Sequence, residues 1–138
     1  MRQAITTLEI RTGGRGLVEF TREVAAFVHD TGIETGLLTV FCRHTSASLT
    51  IQENAAPEVR QDITDWLDRI APEDGGWIHD DEGPDDMPAH LKSILTGVSL
   101  SIPVASGVPV LGTWQGVYLV EHRTRPHVRQ VVLHVSGE

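Results

Sequence analysis

The residues of this chain best suited to chemistry are its histidines, seven in 138 residues. Four stand in polar or turn-rich surroundings. His44 follows an apolar run and precedes Thr45-Ser46, and His79 opens an acidic stretch as His79-Asp80-Asp81. His90 closes that stretch eleven residues later, with Asp86 one helical turn before it, and His122 lies in Glu121-His122-Arg123. Imidazole with carboxylate is the usual donor set for zinc and similar divalent ions. A flanking carboxylate such as Asp80 would orient an imidazole from behind. The spacing matches no HExxH pattern, so spacing alone leaves two readings open, ligands or solvent-facing side chains. His29 and His134 fall on regular elements and read as surface positions.

Two other groups stand out. Arg123, Arg125 and Arg129 gather with His122 and His127 in the last hairpin. Arginine forks suit phosphate and carboxylate, and a solvated hairpin tip is the plain alternative. In Gly112-Thr113-Trp114-Gln115-Gly116, two glycines flank a Trp-Gln pair, which marks a kinked strand with a core tryptophan or a ligand platform. Motifs of other chemistries are missing. The chain has no GxxxxGK[ST], no GxGxxG and no GxSxG. The stretch Gly13-Gly14-Arg15-Gly16 reads as a turn. Cys42, the single cysteine, cannot form an internal disulfide and sits in an apolar run as a buried thiol.

Nineteen acids against eleven bases give a formal charge of −8. Seven of the acids lie in residues 73–86, which hold no Lys or Arg, and the rest of the chain is nearly balanced. This argues against a nucleic-acid-wrapping protein, whose footprint is a basic face. No apolar run approaches the roughly 20 residues of a membrane span, and the first residues lack an export-signal core. A soluble cytoplasmic protein is the expectation.

The length fits one domain, 1–138. Strand character runs from Gln3 to Arg11. Leu17, Phe20, Val24, Phe27 and Val28 recur at helical spacing to about residue 30, with Gly32 as a stop. Leu37 to Arg43 reads as a central strand. A second strand, through Ala47, Leu49 and Ile51, is closely joined to it. Asn54 is placed to cap the next helix, with Pro57 in its first turn and a stripe of Val59, Ile63, Trp66, Leu67 and Ile70. The acidic stretch reads as loop. A short helix starts near Asp86 and ends before Gly97. Strands follow at roughly 98–104, 112–123 and 127–135. The order is β-α-β-β-α-α-β-β-β, and the consecutive strands favour antiparallel pairing in an α+β fold.

Several of these features coincide in one known family. The chain resembles the YjbQ-like proteins, named secondary thiamine-phosphate synthases. The resemblance rests on His44-Thr45-Ser46-Ala47-Ser48-Leu49-Thr50 with Glu53-Asn54, and on His79-Asp80 with Glu82-Gly83. It continues through Asp85 to Ser93, Gly112 to Gly116, and Glu121-His122-Arg123. It implies an antiparallel β-sandwich with flanking helices, and a homotrimer with sites near subunit interfaces. It also implies a divalent metal ion, Zn or Mg, at His44, His79 and His90. Other members carry Asn where this chain has Asp86, and an aspartate-glycine turn near Arg123.

The implied activity joins an aminopyrimidine diphosphate to a thiazole phosphate, giving thiamine phosphate and pyrophosphate. It is a secondary activity by name. Its partners are small phosphorylated substrates, with neither nucleic acid nor membrane involved. Departing diphosphate calls for a cation or arginines. Arg129 is then a candidate catalytic group and Arg125 a candidate substrate contact. Glu53 and Glu121 are candidates for general base or metal support, and Thr45, Ser46 and Gln115 for positioning substrate. A metal-dependent phosphate-ester hydrolase and a non-catalytic trimeric binding protein are the alternatives.

Overall fold

A computed structural model describes residues 1–138. The elements in chain order are β1 (Arg2–Arg11), β2 (Gly16–Glu19), α1 (Thr21–Thr31), β3 (Gly36–Cys42), β4 (Ala47–Glu53) and α2 (Pro57–Ile70). Then come α3 (Asp86–Thr96), β5 (Ser99–Ala105), β6 (Val108–Pro109), β7 (Gln115–Glu121) and β8 (Val128–Gly137). The fold is α+β, and every strand pairing is antiparallel. One sheet has five strands in the order β1-β8-β3-β5-β6, and the other has three, β2-β7-β4. Their inward residues share one core: Leu38 and Val40 from β3, Leu133 from β8, Leu49 from β4 and Leu119 from β7, with Val24 and Val28 of α1. Each such buried side chain favours folding by about 1.5–3 kcal/mol over leaving it exposed. No helix is long and apolar enough to cross a membrane.

Two differences from the sequence reading have clear causes. Leu17 and Val18 form β2 rather than the start of the first helix, pairing with Val120 and Leu119 of β7. Apolar residues at a short spacing fit either period, and here a waiting sheet edge decides. Helix α1 starts at Thr21 and ends at Gly32, whose φ of 71° is left-handed and whose N–H bonds the His29 carbonyl. Helix α2 is capped by Ala56, not Asn54, in extended backbone without a side-chain cap. The Glu53 carboxylate accepts the Ala56 N–H at 3.1 Å and holds that turn instead.

The last strands also differ at their ends. The strand expected over 112–123 spans only Gln115–Glu121, because the Gln115 side chain accepts the Gly112 N–H at 2.8 Å and closes a turn before it. The short β6 is an added strand paired to β5.

The strands β3 and β4 are consecutive but do not pair. The segment Arg43–Ser46 carries the chain from the larger sheet to the smaller one. The β1–β2 and β7–β8 connections make the same crossing. Register puts all three at one end: Arg11 faces Val128, Cys42 faces Val131, and Gly16 and Ala47 flank Glu121. The Arg43 N–H bonds the Gln130 carbonyl, the Thr12 N–H the His127 carbonyl and the His122 N–H the Ser46 carbonyl. His44, Thr45, Ser46 and Arg125 lie on these crossings, and Glu121 and Arg129 stand beside them.

Candidate functional site

Helix α3 carries Asp86 in its first turn and His90 one turn later, so both side chains share a face. The acidic loop before it brings His79 to the same point. Asp86 Oδ2 stands 2.8 Å from His79 Nε2 and 3.0 Å from His90 Nε2. The two rings are tilted by 36° with centroids 5.8 Å apart. The Asp86 side chain is 2% exposed, against 40% for His79 and 30% for His90. The site is thus open on its imidazole side and closed behind its carboxylate.

The hydrogen bonds fix what this point requires. His90 Nδ1 lies 2.7 Å from the Thr45 carbonyl, which can only accept. Nδ1 therefore carries a hydrogen, and in the neutral ring Nε2 is a lone pair. That lone pair would face a carboxylate oxygen at 3.0 Å. His79 Nδ1 stands 3.2 Å from Oδ1 of the exposed Asp81, and its Nε2 faces Asp86. A ring proton or a cation beside His90 Nε2 would satisfy this contact. The Asp86 hydrogen bond raises the His79 pKa against a smaller opposing effect of desolvation. Burial alone would raise that of Asp86, but the two imidazoles and Arg123 together lower it.

Behind the carboxylate, Asp86 Oδ1 accepts from Arg123 Nη1 at 2.9 Å. The same guanidinium donates to Asp85 Oδ2 and to the Glu82 carbonyl, each at 2.9 Å. Asp85 also accepts from the Thr124 N–H and hydroxyl. Burial works to raise the Asp85 carboxyl, and these bonds hold it well below the usual range. The acidic loop is thereby tied to the β7–β8 crossing.

The structure brings His79 and His90 together, with Asp86 as the third donor. His44 stands apart from that trio. Its Nε2 accepts the Gln130 N–H at 2.8 Å, and burial, then the Arg129 charge, lowers its pKa. It lines an open groove beside the cluster with Thr45, His90, Phe41, Ile94 and Val98.

Glu121 and Arg129 are buried as an ion pair. Glu121 Oε1 accepts from Arg129 Nε and the Thr12 hydroxyl, and Oε2 from Arg129 Nη2 and the Arg123 N–H. With both oxygens engaged and no side-chain exposure, Glu121 offers no base to a substrate in this arrangement. Arg129 Nη2 also donates to the Ser46 carbonyl and hydroxyl, so Ser46 is a structural partner here. Arg125 is exposed on the β7–β8 crossing.

Glu53 and Gln115 face each other at the opposite end of the smaller sheet. Six residues of strand, roughly 20 Å, separate them from Glu121 within one chain. His122, expected near a polar strand end, is 2% exposed, and its Nε2 lies 2.8 Å from the Ser48 hydroxyl. Burial, reinforced by the nearby Lys92 charge, drives its pKa down to about 3. It is a neutral core residue. The clamp of Asp85 and Arg123 escaped sequence reasoning, since its members lie 38 residues apart.

Comparison with known proteins agrees with this architecture. The family described as UPF0047 protein YjbQ-like matches residues 6–138. A UPF0047 protein of Synechocystis is 53% identical over 99% of this chain and 94% of its own length. The UPF0047 protein YjbQ of Escherichia coli O157:H7 is 41% identical over 96% of each chain. Among solved structures, a YjbQ/UPF0047 family protein of Clostridium acetobutylicum superposes with a TM-score of 0.88. It is 36% identical and covers 95% of this chain and 99% of its own. With the profile spanning nearly the whole chain and the fold shared in full, this chain belongs to the YjbQ-like UPF0047 family.

Proposed function

We propose that His79, Asp86 and His90 hold a divalent cation, and that the protein is a cytoplasmic metal-dependent transferase forming thiamine phosphate from two small phosphorylated substrates. The observation that carries the cation is the convergence of two imidazole nitrogens and one carboxylate oxygen on one point. Two imidazoles with one carboxylate favour zinc over magnesium, which prefers an all-oxygen shell. A cation held there supplies a Lewis acid for phosphate oxygens.

The chain's own residues supply the remainder. The Thr45 carbonyl keeps the hydrogen of His90 on Nδ1 and so aims Nε2 into the site. Of the three arginines near the β7–β8 crossing, Arg123 and Arg129 are held by acids. Arg125 is the exposed one and is assigned to substrate phosphate. A homotrimer belongs to this reading. Ile5, Leu37, Phe41, Ile94 and Leu95 are exposed apolar side chains that association would cover. It also supplies the route by which Glu53 and Gln115 of another copy would approach the cluster.

The test combines metal analysis with product analysis. Purified protein is expected to retain zinc, and His79→Ala and His90→Ala to lose it. The same variants should lose thiamine phosphate formation from the aminopyrimidine diphosphate and thiazole phosphate. Full metal content in both variants would sink the site. Release of inorganic phosphate from simple esters, without thiamine phosphate, would replace transfer with hydrolysis.

A further inference from the structure

Asp86 divides its two oxygens between two tasks. Oδ2 faces both imidazoles, and Oδ1 is taken by Arg123 Nη1 at 2.9 Å. A free carboxylate rotates about its last bond, and that torsion is broad. Here the rotation is stopped. The Arg123 guanidinium is itself fixed, because its Nε binds Asp85 Oδ2 and its Nη2 the Glu82 carbonyl. Asp85 is fixed in turn by the backbone and hydroxyl of Thr124. Gly83, with φ of 101°, packs where a Cβ would stand 3.2 Å from Asp85 Oδ1. The links through Asp85 and Asp86 are part-buried, the link to the Glu82 carbonyl is exposed, and the Arg123 side chain is 11% exposed.

We propose that Arg123 is a positioning residue, which selects the Asp86 oxygen presented to His79 and His90. A cation held there would meet the carboxylate through Oδ2. His79, Asp86 and His90 would supply three ligand atoms, and the open imidazole side would admit substrate or water. The cation part rests on the function proposed above. The orientation of the carboxylate does not, and it can be read without any metal.

Arg123→Met keeps the aliphatic stem and removes the fork. Arg123→Lys keeps the charge but cannot bridge Asp85 and Asp86 as a planar fork does. In metal-free protein, imidazole nitrogen resonances report the hydrogen-bond state of each ring. Arg123→Met is expected to shift those of His79 and His90 and leave buried His122 unchanged. Zinc affinity, read by competition with a chromophoric chelator, is expected to fall about 10- to 100-fold, the usual cost of losing a supporting partner. Arg123→Lys should recover part of that loss.

A folded Arg123→Met whose His79 and His90 resonances match wild type overturns the proposal. If that variant does not fold, Asp85→Asn loosens the same guanidinium and is read by the same resonances. Shifted imidazoles in a protein that binds no zinc would uphold the positioning role and refute the cation site.

Discussion

Glu121 ends a strand of the smaller sheet, Arg129 lies inside a strand of the larger one, and their side chains meet in a buried two-point ion pair. The pair also gathers Thr12 from the first crossing and Ser46 from the second. It is the polar knot at which the β1–β2, β3–β4 and β7–β8 crossings are fastened. Removing one partner leaves a buried charge uncompensated, which costs about 3–5 kcal/mol. Arg129→Met is therefore expected to lower the urea midpoint sharply. Replacing both partners with apolar residues, as in Glu121→Leu with Arg129→Met, should recover much of the loss. Equal destabilisation in the single and double variants would contradict this account.

The periodic elements were legible in the sequence because their signals are local. The helices at 57–70 and 86–96 follow from apolar stripes and Pro at their starts, and the α+β class from strand order. Leu17–Val18 misread because four residues cannot distinguish the two periods. The site was half legible. His79, Asp86 and His90 are close in sequence, and one helical turn links the last two. The grouping of His44 with them is not seen, because its ring turns to the Gln130 N–H across a strand pair. Nothing local to Glu121 or Arg129 foretells burial. They pair with each other across eight residues, but the groups that enclose the pair, Thr12 and Ser46, come from segments more than 80 residues away.

His122 makes the stability depend on pH in a predictable direction. Its pKa falls from the ordinary 6.5 to about 3 on folding. Above 6.5 the ring is neutral in both states and costs nothing. Below 6.5 the unfolded chain takes up a proton that the folded one refuses, so stability is lost as pH falls toward 3. The slope is about 1.4 kcal/mol per pH unit. His122→Gln retains a partner for Ser48 and should flatten this slope, seen as a smaller change in unfolding free energy between pH 6.5 and 4.5. Parallel pH profiles for variant and wild type would refute the assignment.

Gly83→Ala tests the backbone of the acidic loop. A side chain at φ of 101° is strained, and its Cβ would press on Asp85 Oδ1. The cost is about 1–3 kcal/mol. The expected result is a fall in Tm of roughly 4 °C per kcal/mol. Gly13→Ala, where a Cβ meets nothing within 4 Å, is the control and should melt near wild type. Equal melting of the two variants would show that the loop does not hold Gly83 in this conformation.

Zinc uptake should weaken steeply on acidification. The Asp86 hydrogen bond raises the His79 pKa, so the proton there competes with a cation over a wider range than on a free imidazole. The sign follows from the charges: ring protons and a cation satisfy the same three atoms, and each excludes the other. Above the His79 pKa a cation enters without displacing its proton, and affinity is flat. Below it, affinity falls by up to about tenfold per pH unit for each imidazole that must lose a proton. Asp86→Asn removes the carboxylate hydrogen bond that raises His79, so the fall should begin at lower pH, from a weaker plateau. The measurement is zinc titration from pH 8 to 5 by calorimetry in two buffers of different ionisation enthalpy, which counts protons released. Zinc bound with no proton release at the low end of this range would show that the cation sits elsewhere.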